Sequence, residues 1–348
     1  MSEPTNQCVS GVETIDMQGD VIIVAQGSST DKTRHFLVST KVLGLASPVF
    51  LKLFGPEFLE GQKLANTYRP EIALNQDIPA IMGVIFTILH YQEPEEMSEM
   101  NTQWLASFAI HCDKYMCTKA LWPRVQIWVR KLRKKILTPE DHGNLLLAAY
   151  LFRDSKYFYA LSREAQLKLP VAFSLQWEKS ETLDSLPDTV KFQLSEGIEN
   201  LLDAIKHEIY SVEESLRAHK ASHPIQAKDC SSCGRTHPAE AQFCKPCNKY
   251  SLQPKLCTSD YRISQYLLTL QKTSIWPSSK PFQTLSASEI TSSITLLQTH
   301  LQPDCATGEI CPLKKEVEKL VRTAHALLKQ TAGLFLSEIE APQDQATE

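Results

Sequence analysis

The sequence predicts an α+β N-terminal domain followed by a mainly α-helical region that carries a small cysteine-built module. Three observations carry that reading. Two short β-branched stretches, 19–24 and 34–39, flank a polar loop and lead into a helical run. Apolar residues recur at helical spacing through residues 138–220. Two Cys-x-x-Cys pairs, Cys230/Cys233 and Cys244/Cys247, stand ten residues apart.

Composition narrows the class. The chain has 348 residues, enough for two to three domains, with 43% hydrophobic and 22% charged residues, as in soluble globular proteins. The net charge of −4 sets up no field that draws the chain to nucleic acid or anionic membrane. No apolar run reaches the ~18 residues that would span a bilayer. The first residues are polar and acidic where a secretory signal would be apolar. These features imply an intracellular protein of the nucleus and/or cytoplasm, with reduced thiols. Seven of the ten cysteines fall after residue 225, and in a reducing compartment such clusters read as metal ligands before disulfides.

The elements follow in order. Residues 1–17 lack periodicity and are expected to be a disordered lead-in. The first domain is set at 18–135. Its two strands are joined by a polar loop at 27–32. In the helical run 41–54, Ser47-Pro48 supplies an N-cap and a proline at the first helical position. Residues 72–74 read as a third strand. Asp77 is placed to cap a helix with the stripe Ile81, Val84, Ile85, Ile88 and Leu89. A helix near Asn101-Thr102 buries Leu105, Phe108, Ala109, Cys112, Tyr115 and Met116. Thr118 is placed to cap the next, with Leu121, Val125, Trp128, Val129 and Leu132 inward.

A β-hairpin feeding two short helices across a Ser-Pro resembles the BTB/POZ domain, and Asp113-Lys114-Tyr115 followed by Ala120-Leu121 resembles its closing signature. The resemblance covers residues 15–130. Ser47-Pro48-Val49-Phe50, a long helical region, and Ile275-Trp276-Pro277 within a cysteine-rich extension are similar to a group of fungal BTB proteins. The family implies an interaction module that self-associates. Val42, Leu45, Val49, Phe50 and Leu53 are then candidates for core or interface, and sequence does not sort them. It also implies a cullin-type ubiquitin ligase scaffold as partner, with a further protein as client.

Residues 136–222 form the expected helical extension. Thr138-Pro139-Glu140-Asp141 opens a helix that is apolar nearly all round from Leu145 to Phe152. Ser155 is placed to cap the next, which turns Phe158, Leu161 and Ala165 inward. After Pro187 comes a long helix with Val190, Leu194, Ile198, Leu201, Leu202, Ile205, Ile209, Val212 and Leu216 on one stripe. A broken heptad makes this a core face rather than a coiled-coil seam. Gly197 interrupts it at a cost of ~1 kcal/mol.

Residues 223–258 hold the strongest chemical signal. Zinc takes four soft ligands in a tetrahedron, and each Cys-x-x-Cys turn offers two thiolates. Gly234 and Asn248 follow the two pairs and tolerate the positive φ such turns require. With few apolar residues between the pairs, metal has to supply much of the folding energy. The segment resembles a zinc ribbon bound through Cys230, Cys233, Cys244 and Cys247, with His237 as an alternative ligand. Cys257, His300, Cys305 and Cys311 form a second candidate zinc set, against the alternative of small buried cysteines and a surface histidine. Both sets read as structural, since neither leaves an open position beside a carboxylate.

The C-terminal region, 259–340, is expected to be helical at 260–270, 286–301 and 312–339, with a capping box at Ser286–Glu289 and a disordered tail at 341–348. Arg130, Lys131, Arg133, Lys134 and Lys135 form a basic cluster. It reads as a solvated helix face, a nuclear localisation signal or a dock for an acidic partner. No phosphate-cradling glycine loop, nucleophile elbow or His-Glu-x-x-His occurs, and His111 and Cys112 are helix neighbours that do not share a face. The function implied is a non-enzymatic interaction adaptor with structural zinc. The alternative is a transcription regulator whose zinc module touches DNA, against which the acidic balance and the missing basic stripe argue.

Overall fold

The computed structural model describes residues 11–27, 33–94, 100–276, 279–301 and 311–339. They fall into two units of mixed α+β structure. The first comprises residues up to Leu161, with Gln176–Pro187 and the segment from Phe335. The second comprises Ser162–Leu175 and Asp188–Leu334.

In the first unit, strands β1 (Val12–Thr14), β2 (Val21–Gln26), β3 (Arg34–Val38) and β4 (Glu71–Asn75) make one sheet in the order β1-β3-β2-β4. The two expected strands pair antiparallel, Ile23 opposite Phe36, and both residues are fully buried. β4 lies parallel to β2, with Ile72 opposite Ile23. β1 corrects the expectation of a disordered lead-in over its described part: Val12 pairs parallel with His35 at the sheet edge. Three residues are too few to show a period, so its order comes from the neighbouring strand and from Glu13, which accepts from Arg34 Nε at 2.6 Å and Nη2 at 2.5 Å. The loop at 28–32 lies outside the described residues, as do 1–10.

Helices α1 (Thr40–Ala46) and α2 (Pro48–Leu53) divide at Ser47 as expected. Its hydroxyl accepts from Phe50 N at 3.0 Å and donates to the Tyr115 carbonyl at 2.5 Å. Phe50 stacks on Tyr115 with centroids 4.5 Å apart and also meets Phe86. A short α3 (Leu59–Asn66) leads to β4, and α4 (Pro79–Leu89) follows. Asp77 does not cap α4. It is buried and accepts instead from Lys114 Nζ at 2.8 Å and Tyr115 Oη at 2.6 Å. Lys114 and Tyr115 thus clasp a carboxylate from the strand-to-helix turn. On α5 (Thr102–Lys114) the expected inward residues are buried. Met116, just beyond it, turns out to solvent because the chain takes a left-handed φ of 50° there. α6 (Thr118–Leu132) buries all five expected residues, and Cys117 rather than Thr118 occupies its N-cap position.

α7 (Pro139–Leu151) opens with the expected capping box between Thr138 and Asp141, and packs along α5. Thr102 Oγ1 donates to Asp141 Oδ1 at 2.5 Å, so the α7 start belongs with the first unit, beyond the boundary expected at 135. Burial alone would raise the Asp141 pKa, but hydrogen bonds from Thr102, Leu137 and Thr138 outweigh it and hold the carboxyl below its usual range. α8 (Ser155–Lys168) is capped by Asp154, which accepts from Tyr157 N at 2.6 Å, and not by Ser155. A carboxylate one residue earlier reaches the free N–H better.

Short helix α9 (Ser174–Trp177) precedes α10 (Asp188–Ala218), the 31-residue spine of the second unit. Its buried residues are the nine of the predicted stripe. Gly197 is needed for contact: a Cβ there would stand 2.4 Å from Gln166 Oε1. A three-stranded antiparallel sheet follows, in the order β6-β5-β7, from β5 (His223–Cys230), β6 (Thr236–Pro238) and β7 (Leu252–Cys257). Then come α11 (Ser259–Lys272), α12 (Pro281–Thr284), α13 (Ala287–His300) with its capping box, α14 (Pro312–Gln330) and α15 (Leu336–Ile339). The single final helix expected over 312–339 is therefore broken. Arg163 takes the terminal carbonyls, Nε to Thr331 O at 2.8 Å and Nη2 to Leu328 O at 3.1 Å, while Leu334 N donates to Ser162 Oγ.

Candidate metal centre

The centre is built by two knuckles brought together by the β5–β7 sheet. β5 ends at Cys230, and the chain reverses so that Gly234 N donates to Cys230 O at 2.8 Å and Cys230 N to Arg235 O at 3.0 Å. Gly234 turns the corner at φ 71°. The second knuckle repeats the device: Cys244 N donates to Lys249 O at 2.8 Å, and Asn248 adopts φ 52°. Both residues therefore occupy the left-handed positions their types predict. Ser231 N reaches Ser251 O at 3.0 Å and ties the first knuckle to the start of β7.

The four thiols converge. Cys230 Sγ lies 3.5 Å from Cys247 Sγ, Cys233 Sγ 3.5 Å from Cys244 Sγ, and Cys247 Sγ 3.8 Å from Cys233 Sγ. All four sulfurs fall within 4.8 Å of one another. A tetrahedron with metal–sulfur bonds of ~2.3 Å requires sulfurs ~3.8 Å apart. The spacing fits a four-coordinate thiolate site for an ion such as zinc. Cys230 and Cys244 are buried, while Cys233 is exposed and Cys247 half-buried. The Ser251 hydroxyl, 3.2 Å from Cys230 Sγ, holds that thiol down to about 5, ready to ligate as thiolate. A bond to Cys244 and burial push Cys247 up to about 12 in the thiol form. Ser251 is the contributor that sequence reasoning missed; only the fold brings it to the knuckle.

Four cysteines would complete the coordination shell of such an ion, leaving no open position for substrate. His237 is not among the converging atoms and sits on β6 opposite Lys228. The predicted second set is not assembled as a group of three among the described residues. Cys257 is buried at the end of β7, where the Arg262 guanidinium approaches its sulfur to 3.8 Å, a poor setting for a metal cation. His300 is exposed at the last residue of α13, Cys311 is buried at the N-cap of α14, and Cys305 lies outside the described residues. Arg262 serves a different role. Fully buried, it donates to the carbonyls of Ala221 at 3.1 Å, Cys257 at 2.8 Å and His219, and so fastens the chain leaving α10 to the end of the ribbon.

The candidate interface residues separate by burial. Phe50 is core. Val42, Val49 and Leu53 are half-buried, and Leu45 is 82% exposed. Leu51 at 63% and Leu59 at 71%, which sequence reading did not single out, are also exposed. Leu51 lies against α1 where Gly44 leaves room: a Cβ on Gly44 would sit 3.3 Å from Leu51 Cδ1. His111 is structural. Its Nε2 accepts from Ile78 N at 3.0 Å and its Nδ1–H donates to Ser107 O at 2.8 Å, a neutral tautomer that burial favours by lowering its pKa. No described helix is long and apolar enough to cross a membrane. No protein-family model and no curated protein matches the chain.

Proposed function

We propose that this chain is a non-enzymatic protein-interaction adaptor. Its first unit acts as a BTB/POZ-type module that self-associates, and zinc in the Cys230, Cys233, Cys244 and Cys247 centre is structural. The observation that carries the reading is the apolar surface of α1 to α3, where Leu45, Leu51 and Leu59 face solvent beside the buried Phe50. Large exposed apolar patches mark association surfaces, and exposed leucines on three successive helices are the side chains from which this reading builds one. The closed thiolate shell supports a stabilising metal. A cullin-type scaffold and a client protein are the partners this reading brings with it, recruited by whichever surfaces the dimer leaves free.

Native mass spectrometry of full-length protein purified without chelator tests it. A dimer with one zinc per chain, dissociated by Leu45→Glu with Leu51→Glu, is the expected result. A zinc-loaded monomer at micromolar concentration overturns the self-association. Tight binding to duplex DNA with a steep salt dependence favours the transcription-regulator alternative.

A further inference from the structure

The longest acid-free stretch around the basic cluster runs from residue 114 to residue 139. It holds eight lysines and arginines and no aspartate or glutamate, in a chain whose net charge is −4. Structure assigns these cations unequally. Lys114 pairs with Asp77, and Arg124 pairs with Glu93. Arg130, Lys131, Lys134 and Lys135 are exposed and have no carboxylate partner among the described residues. They are spaced so that Arg130 and Lys134, and Lys131 and Lys135, stack one turn apart on the solvent side of α6 and the turn that follows it. The core side is taken by Val125, Trp128, Val129 and Leu132.

Apolar residues are exposed at both ends of the cationic stripe. Ile127, one turn before Arg130 and Lys131, is 56% exposed, and Leu137 beyond Lys135 is 90% exposed. Cations at the end of a helix are favourable against its dipole, which accounts for one or two of them. It does not account for a run that continues past the helix or for the exposed leucine and isoleucine that bracket it.

We infer that this face of α6 docks a short acidic protein segment that also carries apolar side chains, carboxylates meeting the stripe and apolar groups meeting Ile127 and Leu137. Charge complementarity defines the occupant. The stripe is ~15 Å long, matched by about five extended residues. Among the described residues, none of the exposed side chains of α6 is an aromatic on which a base would stack, and that favours a peptide over nucleic acid. This surface uses none of the α1 to α3 leucines, so the inference does not rest on self-association.

Fluorescence anisotropy on the full-length, zinc-loaded protein tests it with three labelled probes: a peptide of alternating glutamate and leucine, an all-glutamate peptide of equal charge, and a short DNA duplex. The alternating peptide is expected to bind tightest. Arg130→Glu with Lys134→Glu should weaken it by about tenfold or more, as two rim charges are reversed. Ile127→Ser with Leu137→Ser should abolish its advantage over all-glutamate. Circular dichroism and zinc content confirm that each variant is folded. Preference for the duplex, equal binding of the two peptides, or unchanged binding by the charge-reversed variant overturns the proposal.

Discussion

Removing the metal should unfold the ribbon and leave the helices standing. Between 223 and 257 the buried apolar side chain is Ile225, joined by Cys230, Cys244 and Cys257. Burying one isoleucine yields ~2–3 kcal/mol, whereas ordering backbone costs ~1–2 kcal/mol for every residue fixed. Strand pairing narrows that gap without closing it, because each hydrogen bond nets only ~1 kcal/mol. A thiolate-bound zinc supplies ~10–16 kcal/mol in comparable modules. Amide hydrogen exchange before and after chelation is the assay. Segment 223–257 should lose protection by several orders of magnitude, and α10 should keep it except near His219, where Arg262 fastens the chain. Cys244→Ser should reproduce the chelated pattern, since that thiol is fully buried among the others. Complete metal release with protection unchanged over 223–257 would refute the argument that the ribbon depends on its ion.

Other expectations concern the scaffold. Gly61→Ala sets a Cβ 1.9 Å from the Gly55 carbonyl oxygen, so backbone must shift, and urea titration should show a loss of ~1–3 kcal/mol despite better helix propensity. At Gly197 the obstacle is the Gln166 side chain, so Gly197→Ala costs less, but it displaces the Gln166 bond to Ala332 O and should lower the unfolding free energy by under ~1 kcal/mol. Asp77→Ala strands the buried Tyr115 hydroxyl and should destabilise by ~1–3 kcal/mol, with Tyr115→Phe recovering part of the loss in a double-mutant cycle. His111 is neutral when folded and its pKa is lowered, so the unfolded chain takes up the proton first on acidification. Stability then falls as pH drops through the unfolded value of 6.5 and levels off below the folded one. Denaturation midpoints at about pH 7.5 and about 5.5 should differ more in wild type than in His111→Gln.

Legibility in the sequence followed the range of the interactions involved. The α10 stripe could be read in full because a 31-residue helix repeats its period many times. The four-cysteine cluster was equally plain, since a Cys-x-x-Cys knuckle is a local device whose positive-φ residue directly follows it. What escaped was decided at a distance. β1 is ordered by a partner strand 23 residues further on, Asp77 is held by α5 rather than by its own helix, and α14 stops where Arg163 takes its carbonyls. The leucines show the same limit. Leu45 and Phe50 are both apolar residues of one helical run, and only the packing of α1 and α2 against Tyr115 and Phe86 sends one inward and leaves the other in solvent.

The first unit and the ribbon solve the stability problem by different means, and this bears on where a partner would bind. The first has a continuous core from Val21 to Leu151, including the aromatic contacts of Phe36, Phe50, Phe86 and Tyr115. Substitutions on its surface therefore leave the fold intact, and Leu45, Leu51 and the α6 cations are free to be shaped by recognition. The ribbon has no such reserve. With an ion bound, its four cysteines would have no coordination position to spare, so a partner that engaged it would do so through exposed groups such as Arg235, Lys249 and Tyr250. Replacing those three with alanine should leave zinc content and hydrogen-exchange protection over 223–257 unchanged. Loss of metal in that variant, measured by mass spectrometry, would show that the ribbon surface also carries part of its folding energy and would remove the separation between scaffold and contact residues argued here.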